Sequence, residues 1–279
     1  MSRWCRAFEA FGVGFRLETN RPDLLAPLLT DLPPSDAVDD DRPRTTFRLD
    51  FDDAGQPASL LVDGHAHTVD LPADSPLDWQ FDALVTLHVA ENSPYVFVHA
   101  GVVRYRDRAI LFPGRSFAGK STLTAALLTA GAEYLSDDFA VIDDDGRVRP
   151  FHCPLRMRTS AGRLEKRPAD FGAVSAVEPT QVCLIVDTEY RPGADFRPRR
   201  LTQGEGVLRM FAHAVAARSA PARVGSVLAR VARNAACLAG PRGDAAETAR
   251  RILNLCDQFS ESSSFIQSCE AIPCCPLPE

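Results

Sequence analysis

Residues 114–122 read Gly114, Arg115, Ser116, Phe117, Ala118, Gly119, Lys120, Ser121 and Thr122, which fits the pattern G-x-x-x-x-G-K-[ST]. Glycines at 114 and 119 let the backbone turn tightly enough for successive N–H groups to face one anion. A helix starting near Lys120 adds the positive end of its dipole. Lys120 then reaches the β- and γ-phosphates of a nucleotide, and the Ser121 hydroxyl ligates Mg²⁺. The chain has 29 arginines but only two lysines, Lys120 and Lys166. It therefore keeps an ammonium where a compact, point-like charge is required.

Two further groups belong with this loop. Asp137 and Asp138 end an apolar strand, Asp138 lying 18 residues after Lys120. A carboxylate there can hold magnesium or accept a proton from an attacking hydroxyl. Adjacent strand residues point opposite ways, so the pair can divide those roles. Asp137, Asp138 and Ser121 are thus the candidate metal ligands. His99 lies 21 residues before Lys120, in an apolar strand. On local grounds alone it reads as a core histidine.

The elements needed to position these groups follow from periodicity. Alternation at 12–17 and 46–51 predicts half-buried strands, with turns at 53–55 and 63–64 and a Pro- and Asp-rich loop at 33–44. His65 and His67 share one strand face and read as solvated. Helical spacing at 77–90 turns Trp79, Phe81, Leu84 and Leu87 toward a core. Strands are predicted at 95–105 and 109–112, around a turn at 106–108. A helix follows the phosphate loop and stops at Gly131. Then come a strand at 133–136, a hairpin at 139–151 turned at Asp145 and Gly146, and a buried strand at 181–186. Helices at 204–217, 222–233 and 244–255 complete the pattern, with a short apolar segment at 235–239.

The composition excludes several classes. A net charge of −6 argues against a phosphate-backbone footprint, so nucleic acid is not an expected partner. No apolar run reaches membrane-spanning length and the first residues lack a signal-peptide core, so a cytoplasmic protein is expected. The eight cysteines show no metal-ligand spacing and read as thiols. From 259 the chain is a Ser-, Pro- and Cys-rich tail. Its Ser262, Ser263 and Ser264 read as solvated.

His99-Ala100-Gly101, the loop at 114–121 and Leu135-Ser136-Asp137-Asp138 together resemble the HPr serine kinase/phosphorylase family, in particular its HprK-related kinase branch. Their spacing matches without a gap, and the likeness covers about residues 76–258. The resemblance implies an α/β fold: a P-loop kinase core of the phosphoenolpyruvate-carboxykinase-like type, at 76–258, behind a small β-rich N-terminal domain at 1–75. It carries catalytic roles onto His99, Lys120 and Asp138, with Asp138 as proton acceptor, and implies ATP and Mg²⁺. The implied acceptor is a serine hydroxyl of a small protein or a natural-product precursor peptide. Homo-oligomerisation is left open. There is one departure: Arg156, in Leu155-Arg156-Met157-Arg158-Thr159, stands where the bacterial enzymes carry a magnesium-serving glutamate. An arginine cannot ligate a cation, but it can pair with a phosphate or an acidic substrate. The alternatives are a small-molecule kinase using the same site and a nucleotide-binding regulator without transfer.

Overall fold

The computed structural model describes residues 3–39, 42, 44–66, 76–115, 118–159 and 162–261. Six strands form the N-terminal sheet: β1 (Trp4–Ala10), β2 (Val13–Thr19), β3 (Asp36–Val38), β4 (Thr45–Phe51), β5 (Pro57–Val62) and β6 (His65–Ala66), in the order β3-β1-β2-β4-β5-β6. Alternation dictates its buried face, where Phe15, Leu17, Phe47 and Leu49 have almost no exposure. The stretch expected to be loop at 33–44 contributes β3, because its backbone finds an open edge on β1. Between β2 and β3 lie α1 (Pro22–Leu25) and a 3₁₀ turn, Ala26–Thr30. His65 is exposed, and His67 lies outside the described residues.

Helix α2 (Leu77–Asn92) lays Phe81, Leu84, Val85 and Val89 on this sheet. Trp79, expected to face the core, is 43% exposed, because Val85 and Val89 occupy the inward stripe instead. The same apolar cluster takes in Phe97 and Val141 of the second sheet, and Phe151 from a segment outside its strands.

That second sheet contains β7 (Val96–Tyr105), β8 (Arg108–Pro113), β9 (Glu133–Ser136), β10 (Phe139–Ile142), β11 (Arg147–Arg149), then, after a separate hairpin of β12 (Leu155–Thr159) and β13 (Gly162–Lys166), β14 (Thr180–Tyr190), β15 (Arg199–Leu201) and β16 (Ala236–Arg242). Its order is β11-β10-β7-β8-β14-β16-β15, with β9 also on β7. Strands β8, β14 and β16 are parallel to one another, while β7 and β15 run against their neighbours. Arg106 and Asp107 both take positive φ in the two-residue β7–β8 turn, the geometry that matches strand twist.

Helices cover both faces. Val103, Ile110, Phe112, Leu184 and Val186 meet α3 (Lys120–Thr129) and α6 (Ala245–Glu261). Val102, Leu111 and Ile185, their neighbours in sequence, meet α4 (Gln203–Phe211) and α5 (Pro221–Arg233) on the other face. A mixed α/β architecture results, helix layers enclosing a largely parallel centre. The helix expected over 204–217 stops at Phe211. Ala214 bridges to Val98 and the His213 carbonyl accepts the His99 N–H at 2.8 Å, so β7 captures that segment. Helix α6 continues to Glu261, into the stretch expected to be tail. The rest of that tail, with Ser262, Ser263 and Ser264, lies outside the described residues, among which no helix is long and apolar enough to cross a membrane.

Candidate functional site

Parallel β8, β14 and β16 end at one edge of the sheet, where open α/β sheets place ligands. At the end of β8, the Gly114 N–H donates to the His99 carbonyl at 3.2 Å and so ties the loop to β7. Gly119 caps α3 with φ +82°, and a Cβ there would lie 2.4 Å from an Arg242 nitrogen. The positive φ requires glycine, and a side chain here would also push the Arg242 head group aside. Lys120 Nζ donates to the carbonyls of Gly114 and Arg115, each at 3.0 Å. Burial lowers its pKa, and the charges of Asp137 and Asp138 oppose that shift. Ser116 and Phe117 lie outside the described residues.

The acid pair occupies an interruption in one edge track. Strand β9 pairs with the second half of β7 and β10 with the first. Between them the Asp138 carbonyl accepts the Ala100 N–H at 3.1 Å, which holds both acids beside the loop. Asp137 is 3% exposed and accepts a 2.7 Å bond from the buried Thr124 hydroxyl. Burial and the neighbouring Asp138 push its pKa up to about 6, against hydrogen bonds from Ser121 and Thr124 and the charge of Lys120. Asp138 keeps its side chain 33% exposed. The structure thus separates an inner carboxylate, bonded to the Thr124 hydroxyl, from an outer one facing solvent.

Ser121 and Asp137 offer hard oxygen ligands, and the buried Asp137 carboxylate lacks a full countercharge, so this pair fits a divalent cation. No cluster of three or more potential metal ligands occurs among the described residues. A cation here would share its shell with phosphate oxygens and water, the usual Mg²⁺ arrangement.

His99 lies opposite Phe139, ring centroids 5.6 Å apart. Burial, then the charges of Lys120 and His213, drive its pKa down to about 3, so its imidazole is neutral near pH 7. Gly101 leaves room for the Phe112 ring, which would lie 2.1 Å from a Cβ at that position. That contact seats β7 on β8 beneath the site.

One site residue escaped the sequence reading. Arg242 ends β16, is 2% exposed, and donates to the Gly119 carbonyl at 2.7 Å. Its Nε has no hydrogen-bond partner, and it makes no ion pair among the described residues. Burial lowers its pKa. A buried guanidinium against this loop is the kind of group that pairs with a phosphate or a carboxylate. The available signal was positional: Arg242 and Gly243 join an apolar strand to a helix, as the phosphate loop does.

Arg156 is not available to a phosphate or an acidic substrate, as its sequence context had suggested. It is 3.0 Å from both Asp31 and Asp82, and 4.0 Å from Asp138 and Glu165. These carboxylates come from separate elements, so Arg156 joins the N-terminal segment, α2 and the hairpin to the outer aspartate.

No family model matches the chain, and no curated protein does. Among solved structures it is similar to the Hpr(Ser) kinase/phosphatase from Coxiella burnetii, with 20% identity and a TM-score of 0.36. The match covers 59% of this chain and 97% of that one. A likeness at that level carries no activity with it; the residues themselves must supply the assignment.

Proposed function

We propose that this chain is an ATP-dependent kinase that transfers the γ-phosphoryl group to a serine hydroxyl of a small protein or peptide. Residues 76–258 form the catalytic unit behind a β-rich N-terminal unit at 1–75. The observation that carries the reading is the division of the acid pair. The Thr124 hydroxyl of α3 holds Asp137, while Asp138 stands outside it.

In this reading the loop amides, Lys120 and Arg242 bind the triphosphate and neutralise its charge. Ser121 and Asp137 hold Mg²⁺, which supplies charge stabilisation to the phosphates when bound. Neutral His99 donates a hydrogen bond rather than a proton. Asp138 orients the acceptor hydroxyl and takes its proton, and positioning supplies most of the acceleration. An open groove of about 540 Å³ is walled by Leu32, Tyr134 of β9, Cys153 and Arg167. No carboxylate lines it, which disfavours a small cationic metabolite as its occupant.

The test is transfer from γ-labelled ATP to small proteins and peptides encoded beside this gene, with the labelled residue mapped. Asp138→Asn should bind MgATP as the parent does and lose transfer by about 10²–10⁴-fold. Full transfer by that variant removes Asp138 from the chemistry.

A further inference from the structure

Away from the nucleotide site, two thiols meet across the layer between the sheet and α6. The Sγ atoms of Cys183 on β14 and Cys256 on α6 are 3.9 Å apart, although the residues are 73 positions apart in sequence. Cys256 is 4% exposed, whereas Cys183 is only partly buried. Cys183 also sits where the β14–β8 register slips, between the pairs Val182–Ala109 and Leu184–Ile110. Such an irregularity re-aims a side chain, and here the thiol meets the helix layer. The hydrogen bond with Cys256 and the charge of Arg108 lower the Cys183 pKa, in the direction that favours thiolate.

We propose that Cys183 and Cys256 are a reversible dithiol/disulfide pair, closed by peroxide, that fastens α6 to the central strand of the sheet. The Cys183 sulfur attacks one oxygen of hydrogen peroxide and the O–O bond breaks. This leaves a sulfenic acid on Cys183 and a hydroxide that takes a proton to become water. The Cys256 sulfur then attacks the Cys183 sulfur, the S–O bond breaks, and a second water leaves with the Cys256 proton. Two thiols and one peroxide become one disulfide and two waters, with the two electrons passing from sulfur to oxygen. Closure needs the sulfurs to approach from 3.9 Å to about 2.05 Å. A thiol reductant reverses it. Helix α6 begins at Ala245, just after Arg242, which donates to the Gly119 carbonyl, so the bond anchors the helix that follows that contact. The inference does not depend on the kinase reading.

The experiment exposes the full reduced chain to a small excess of hydrogen peroxide, quenches with catalase, alkylates under denaturing conditions, and maps peptides without reduction. The expected product links the peptides containing Cys183 and Cys256, loses two alkylation sites, and reverts with dithiothreitol. Its thermal midpoint should rise by about 5–10 °C on oxidation, because the bond restrains a long loop of the unfolded chain. In Cys256→Ser the same treatment should leave the midpoint unraised and carry Cys183 on to the sulfinic acid. Wild-type protein whose principal crosslink runs through other cysteines, or whose Cys183 is over-oxidised while Cys256 stays alkylatable, overturns the proposal. The wild-type map decides this even if the variant does not fold.

Discussion

Replacing Thr124 with valine tests the inner carboxylate, and it also removes the hydroxyl's 3.0 Å contact with the Lys120 carbonyl. The two side chains are nearly isosteric, Thr124 has no exposure, and its 2.7 Å bond to Asp137 is lost. A hydrogen bond to a charged group contributes about 1.5–3 kcal/mol, and one pKa unit corresponds to about 1.4 kcal/mol. At the low end of that range, the Asp137 pKa should rise from about 6 to about 7. The ionised fraction then falls from about half to about a tenth at pH 6, and from about nine-tenths to about half at pH 7, while at pH 8.5 both forms are almost fully ionised. Because a cation binds the ionised form, MgATP affinity should drop about fivefold at pH 6 and about twofold at pH 7, and recover by pH 8.5. Calorimetric titration at the three pH values measures this, with ATP in EDTA as the control that should not separate the proteins. Equal weakening at every pH would mean that Thr124 acts through the helix rather than through the proton on Asp137. No weakening at pH 6 would remove Asp137 from the cation site.

Arg242→Met should weaken nucleotide binding at least tenfold while leaving the nucleotide-free chain as stable or more so, by about 1–4 kcal/mol, because a desolvated cation without an ion-pair partner is removed. Calorimetry and thermal melting of one preparation decide it, and a stability loss would mark the residue as structural. Arg156→Met leaves Asp31, Asp82 and Asp138 without their shared countercharge and should destabilise the fold by about 2–4 kcal/mol, read from the denaturant midpoint. His99 holds its folded pKa near 3, below its unfolded value of 6.5, so its contribution is full above pH 6.5 and is lost as pH falls toward 3. Relative to His99→Gln, the parent should therefore lose about 1.4 kcal/mol of stability per pH unit below 6.5, while the two proteins keep a constant difference above it.

Much of this site was legible because its reasons are local. Glycine at 119 is demanded by one positive φ, and the strand–loop–helix order by the pattern around it. The β9 strand fell where apolar residues lead into two acids, and Gly131 ends the α3 turn with φ +100°. The misreadings have a shared cause in the other direction. The 204–217 segment has continuous helical propensity, but an unpaired β7 edge outbids its last turns. Asp36–Val38 looks like loop by composition, and becomes a strand only because β1 lies alongside. Trp79 lies off the inward stripe of α2, which Val85 and Val89 occupy further along the helix.

What the sequence alone determined is the residue types and their spacing: a G-x-x-x-x-G-K-S loop with its lysine, two adjacent carboxylates and a histidine upstream of them. Those follow from residue type and short spacing, since backbone sterics and donor geometry act within a few residues. Only the tertiary structure decided which aspartate is desolvated, that Arg156 is already engaged by four acids, and that Arg242 reaches Gly119 from 123 residues away. Charge in a protein has its effect through burial and through partners brought by the fold, and neither is a property of the residue that carries it.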